Sequence, residues 1–404
     1  MHWQLDQKLP SWAPPQPHLT PLKILASLPV LICIVILIRA IYLLYFHPLS
    51  TYPGPRFWAI CRIPWIRYSL RGELAFEIRE LHRQYGPVVR IAPDELSYTS
   101  STAWRKIYGQ KTPEFEKCLD GRGIAPRSLE GVKGIINEDQ ERHARLRRAI
   151  SPAFSERAIR EQEAFLKLHS DKLVSCLRTD AKKGEAVDIL RWIHLTTFDI
   201  ISDLAFGQPA GCLDNADQPW LQIMGARTKA IVWHQFEMTY NIDRILYKIW
   251  PTRSSEARRK HIELTSAKVM RRIRQKEDQK NRKDFMSYIL DNETEQMTSR
   301  DLIIMASAFI VAGSGTVGAA ISGIIFHLCR NLKTYHLLVE EIRGHFSQES
   351  EITLQSTAEL RFLRAVIEEG LRVYPPSPST LPRFVPGNGE VIEGEWVPGG
   401  VSGP

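Results

Sequence analysis

VAGSGTVGAA, residues Val311 to Ala320, lies at the centre of an apolar helical pattern that Thr298 opens, with Asp301 three residues on completing a capping box. Each glycine in a helix interior costs about 1 kcal/mol relative to alanine. Gly313, Gly315 and Gly318 in one apolar stretch therefore need a reason, such as the close approach of another backbone or of a flat ligand. At helical spacing Ala312, Gly315, Thr316 and Ala319 share one face. A small-residue face with one hydroxyl suits a planar group hydrogen-bonded by Thr316. It equally suits a second helix packed closely, with Thr316 bonded back to its own backbone. The spacing leaves both readings open.

Working outward, Leu363 to Val373 (LRAVIEEGLRV) reads as an amphipathic helix ended by Tyr374-Pro375-Pro376, with Glu369 and Arg372 at i, i+3. The same spacing recurs at Glu80/Arg83, Glu256/Arg259 and Glu340/Arg343, so only the Pro-Pro turn and the following Pro382-Arg383-Phe384 set Glu369/Arg372 apart from a surface ion pair. Towards the N-terminus, Glu141 to Arg148 (ERHARLRR) precedes Ser151-Pro152-Ala153-Phe154-Ser155. There His143 and Arg147 stand one helical turn apart, two donors able to grip a carboxylate-bearing ligand or simply part of a basic helix face.

Further helical periods are expected at 73–86, 138–150, 156–176, 187–206, 218–235, 254–283, 284–291, 299–330 and 331–346. Short strands are expected at 87–91 and 96–98 around Pro93-Asp94. The body thus reads as mainly α with a small β region. Lys111 to Lys133 has no period and reads as a long binding loop. Basic residues between 253 and 283 (Arg258, Arg259, Lys260, Arg271, Arg272, Arg274) alternate with acids, as on a solvated helix face. A composition of 24% charged and 44% hydrophobic residues excludes collagen-like, coiled-coil and wholly disordered chains. Net charge +8 is a mild excess of 53 bases over 45 acids, and no nucleic-acid partner is expected. The six cysteines, Cys33, Cys61, Cys118, Cys176, Cys212 and Cys329, lie far apart and suggest neither a zinc site nor a disulfide scaffold.

Ile24 to Phe46 is interrupted by Arg39 alone. As a helix it would extend roughly 34 Å, enough for a bilayer core of about 30 Å. Residues 1–21 read as a lumenal leader, 22–46 as a single-pass anchor in contact with membrane lipid, 47–56 as a stiff Pro-rich neck and 57–404 as the body. Basic residues after the span (Arg39, Arg56, Arg62, Arg67) place the body on the cytosolic side, so the sequon at Asn292 should be unmodified.

In this order, the apolar anchor with HPLSTYPGP, ERHARLRRAISPAFS, AGSGT, and AVIEEGLRVYPPSPSTLPRFVP followed by VIEGEWVPGG resemble the cytochrome P-450 family, specifically membrane-anchored fungal members of secondary metabolism. The resemblance runs over nearly the whole chain. It implies heme as cofactor, with His143, Arg147 and Arg383 holding its propionates and Ala312 and Gly313 lying in the heme-facing helix. Thr316 would be the hydroxyl beside the iron-bound oxygen, and Glu369/Arg372 the structural pair. The loop 111–133 and Ser377, Pro378, Ser379, Thr380 and Leu381 would face an apolar substrate. The further partners implied are O2 and an NADPH-cytochrome P-450 reductase, at the endoplasmic reticulum. Gly315 stands where the family usually has an acid and Val317 where a second hydroxyl is common, which leaves Ser314 or water as substitutes in proton delivery. No cysteine follows Cys329, so the family's thiolate ligand is missing from this chain. The expectation is therefore a monooxygenase of a fungal biosynthetic pathway, or alternatively a truncated and inactive pseudo-enzyme or membrane-tethered binding protein.

Overall fold

The computed structural model describes residues 21–109, 115–118, 134–136, 138–184, 186–215, 233, 235, 237–238, 253–276, 278, 281–291, 297–378 and 381–403, with the backbone alone at 21–27 and 253–258. The leader up to residue 20, nearly all of the loop 111–133, most of 218–235, Arg258, Asn292, Ser379 and Thr380 lie outside the described residues or side chains.

Helix α1 (Pro21–Ile41) carries Pro29 within it and continues as a π turn over Tyr42–Phe46. Its apolar side chains from Leu28 to Phe46 are mostly exposed. Short helices α2 (Arg56–Ile60) and α3 (Ile63–Arg71) lead to α4 (Leu74–Tyr85), which ends at Gly86, and then to strands β1 (Val88–Ala92) and β2 (Glu95–Tyr98). These last three elements lie where their periodicity places them. Helix α5 (Ser101–Tyr108) is capped by Ser100, and β3 (Glu116–Lys117) follows.

The helical body runs through α6 (Gln140–Ile150), a 3-10 turn at Ser151–Phe154, α7 (Glu156–Glu161), α8 (Glu163–Lys182), α9 (Ile189–Phe206), α10 (Arg253–Arg274) and α11 (Phe285–Leu290). It continues with α12 (Ser299–Arg330), α13 (Leu332–His345), α14 (Leu354–Ala358) and α15 (Arg361–Val373). The period expected as one helix over 156–176 is split at Gln162. The buried Gln162 amide turns back to donate to the Ala153 carbonyl at 3.0 Å, a contact made with the preceding 3-10 turn.

The last segment supplies β4 (Arg383–Phe384), the hairpin β5 (Glu390–Ile392) and β6 (Glu395–Val397), and β7 (Ser402–Gly403). The larger sheet has the order β1-β2-β7-β4-β3, with β2 parallel to β7 and the other pairs antiparallel. The chain's last strand thus lies beside its second, Ser402 opposite Glu95. At the β5–β6 turn Glu393 takes φ 53°. This left-handed conformation is uncommon outside glycine. Its carboxylate is held by the Ser100 hydroxyl at 2.7 Å, which ties the hairpin to the start of α5.

Two larger cores result. One is helical, centred on Phe198, Val269, Met286 and Ile310 from α9 to α12. The other lies under the sheet and contains Leu49, Leu96, Ile107, Phe115, Val385 and Val397. The helical core encloses charge. Arg272 and Asp284 are buried and paired at 3.3 Å, and Arg282 joins Asp284 at 2.8 Å and also binds Asp203. Asp203 in turn meets His169 at 3.0 Å, so one network links α8, α9, α10 and the start of α11. Buried charges persist only where partners offset their lost hydration.

Candidate active site

Helix α12 is as long and apolar as a membrane-crossing helix, but it packs into the body, most extensively against α9. Its glycines divide between two sides. A Cβ at Gly313 would lie 2.7 Å from the Ile201 side chain of α9, and one at Gly318 would lie 2.6 Å from the His194 ring. Further along, Gly323 receives the Tyr374 ring, while Gly370 of α15 receives Ile324 of α12. Close packing therefore explains Gly313, Gly318, Gly323 and Gly370. It does not explain Gly315, where nothing lies within 4 Å of a Cβ position and both Gly315 and Ala312 are exposed.

The polar groups of the stretch divide in the same way. Ser314 is buried, its hydroxyl donating to Ile310 O at 2.7 Å and its carbonyl accepting from the Thr197 hydroxyl of α9 at 2.9 Å. Ser314 therefore faces α9, away from the open side. Gly313, expected at the cofactor, is also turned to α9. Thr316, half-buried, donates back to Ala312 O at 2.5 Å. The back-bonded hydroxyl and the vacant small-residue face thus occur together, although they belonged to rival readings of the sequence.

Helix α6 is set against this helix by its N-terminal turn. Asp139 caps it by accepting the Arg142 N–H at 2.9 Å, while the Arg142 side chain reaches Glu138 at 3.1 Å and Asp301 at 2.7 Å. Asp301 also completes the predicted capping box of α12, so one carboxylate joins the starts of both helices. His143 is half-buried and Arg147 exposed on α6. Arg383 comes from β4, where it donates to Phe115 O at 3.1 Å and lies 5.8 Å from the Tyr108 ring. Arg142 had no signal in the sequence reading beyond its place in a basic run, because its two partners are settled only by the docking of α6 on α12.

Glu369 and Arg372 form a two-pronged pair, both bonds at 2.7 Å, which holds the Glu369 carboxyl below its usual range. The side chains are 60% and 70% exposed, so on present geometry the pair is a surface one. Ser377, Pro378 and Leu381 are exposed beyond the Pro-Pro turn. Among the cysteines, burial and Asp199 push the Cys212 thiol up to about 12, which makes it a poor thiolate. Cys329 stands in the last turn of α12, and none of the six lies on the 312–319 face.

Together these features offer an exposed small-residue face in the middle of a long helix, and a second helix bearing cationic side chains that is tied to the start of the first through Arg142 and Asp301. Such a face accepts a planar apolar group, and the cations accept its acidic substituents. Among known proteins, the chain is 51% identical to the cytochrome P450 monooxygenase alt3 of Alternaria solani over 378 residues, 94% of this chain and 73% of the relative. It is 52% identical to alt1 of the same fungus over 91% of this chain and 71% of that protein. It is 38% identical to averantin hydroxylase of Aspergillus parasiticus over 90% and 73%. The cytochrome P450 family model matches residues 52–401, from the end of the neck through both sides of α12 and past the β5–β6 hairpin. A match of that extent covers the fold as a whole, and the chain belongs to the cytochrome P450 family.

Proposed function

We propose that the chain works as a heme-dependent monooxygenase acting on an apolar secondary metabolite of a fungal pathway, with electrons drawn from NADPH through a cytochrome P450 reductase. The observation that supports this reading is the open face at Ala312 and Gly315 beside Thr316: both residues are exposed and nothing lies within 4 Å of a Cβ position at Gly315, whereas the neighbouring glycines are filled. Heme bound there would supply oxygen activation, one oxygen atom entering the substrate and the other leaving as water.

The residues present fit the flat side and the carboxylates of that group. Ala312 and Gly315 would lie against its face, with Gly313 supporting them from behind through α9. His143 and Arg147 would bind the propionates from α6, and Arg383 would do so from β4. Arg142, through Asp301, would hold α6 at the spacing this requires. Thr316 would hold a proton at Oγ1. Without an acid at 315, that proton would have to be replaced from water. Ser377, Pro378 and Leu381 would face substrate.

Helix α1 would anchor the protein in the endoplasmic reticulum membrane, with 1–21 lumenal, 22–46 spanning, 47–56 as neck and the body in the cytosol. The test is the carbon monoxide difference spectrum of the reduced full chain in membranes, taken with total heme content. A thiolate-type Soret band supports the proposal. A folded chain without heme overturns it in favour of a membrane-tethered binding protein.

A further inference from the structure

The Pro-rich segment after the apolar helix is built into the body. Leu49 is 0% exposed, in the core under the sheet, and the Tyr52 hydroxyl donates to Trp396 O at 3.2 Å. Gly54 passes so close to β1 that a Cβ there would stand 2.5 Å from Arg90 O, and the Arg90 N–H donates to Pro53 O at 2.7 Å.

The Arg90 side chain completes the contact. It is 2% exposed and donates to the carbonyls of Leu43 at 2.8 Å, Leu49 at 3.3 Å and Pro93 at 2.6 Å. It also reaches Nδ1 of His47 at 3.4 Å, an atom that accepts the Leu49 N–H at 3.1 Å. Leu43 belongs to the π turn that ends the apolar helix. Carbonyls at a helix C-terminus have no partner within the helix and carry the negative end of its dipole, so a cation is favoured there. Burial works against the charge on Arg90, and the convergent carbonyls offset that cost. A cation that caps a helix commonly sits on the helix itself. Here it comes from a strand 47 residues further along the chain.

We propose that Arg90 is the joint between membrane helix and body: one side chain fastens the end of α1, the neck and β1 together. The bilayer then holds the body at one tilt instead of tethering it loosely. This rests on the reading of α1 as a membrane anchor, and the test separates the two ideas.

The full chain is placed in phospholipid nanodiscs with spin labels on unnatural residues at Val35 and Arg83, and the label distance is measured by pulsed electron resonance. A single narrow distribution is expected, which Arg90→Gln broadens by roughly twofold or more, towards the behaviour of a free linker. Arg90→Lys, with one compact donor group, should fall between them. Gly54→Ala, which presses the neck off β1 and leaves the guanidinium intact, should also broaden the distribution. A broad distribution in the unaltered chain overturns the joint, even where the variants fail to fold. So does a narrow one that Arg90→Gln leaves unchanged in a variant whose α9 and α12 amides remain protected from exchange. Failure of the chain to enter nanodiscs overturns the anchor itself.

Discussion

The two sides of α12 use the same residue types to opposite ends. Towards α9, Gly313 and Gly318 are filled from outside by Ile201 and His194, and Ser314 is bonded on both its polar groups. Away from α9, Ala312 and Gly315 are exposed, and nothing lies within 4 Å of a Cβ position at Gly315. Small residues in a helix therefore do not by themselves mark a ligand face, since what matters is whether a neighbour already occupies the space they leave.

The sharpest contrast between the closed and open parts of the molecule should come from Asp284, deep in the closed part. Asp284→Ala strands the buried Arg272 guanidinium, and a loss of about 3–5 kcal/mol is expected in denaturant unfolding. Gly318→Val, on the closed side of α12, should cost about 1–3 kcal/mol by overpacking against His194. Gly315→Ala, on the open side, should do the reverse and stabilise by up to about 1 kcal/mol, because the methyl group meets no neighbour and alanine is the better helix former. If these two variants moved stability in the same direction, the distinction between the faces would be lost.

A weaker effect separates the neck from the exposed C-terminal pair. Burial, and then the charge of Arg90, lower the His47 pKa from its ordinary 6.5. The folded chain thus binds a proton there less readily than the unfolded one. The stability this contributes is complete above about pH 6.5 and declines as pH falls from there towards the lowered value. Amide protection factors over residues 43–54, taken against intrinsic exchange at each pH, should accordingly be lower at pH 5.5 than at pH 7.5, and Arg90→Gln should diminish the difference. Least of all, Glu369→Gln should leave the melting temperature of this chain unchanged within error, because exposed ion pairs contribute little.

Local order was legible where side-chain period and end signals agree. The capping box at Thr298, the Gly86 end of α4 and the paired strands around Pro93-Asp94 all lie where the sequence places them. The split at Gln162 was not legible, because it depends on an amide reaching a carbonyl outside its own helix. For the candidate residues of α12, period gave the face but not its neighbours. Ala312, Gly315 and Thr316 do share an exposed to half-buried face, whereas Gly313 and Ser314 belong to the helix contact.

Motif order and helical period, both properties of the chain read along its length, determined the family, the mainly helical class, the apolar N-terminal helix and the candidate residues around Thr316. Only tertiary structure decided which glycines of α12 are filled, that Arg142 joins α6 to α12 through Asp301, and that the neck is fastened by Arg90. Each of these depends on atoms distant in sequence meeting within a few ångströms. Periodicity records which face of a segment is apolar, and carries no information about what comes to lie against it.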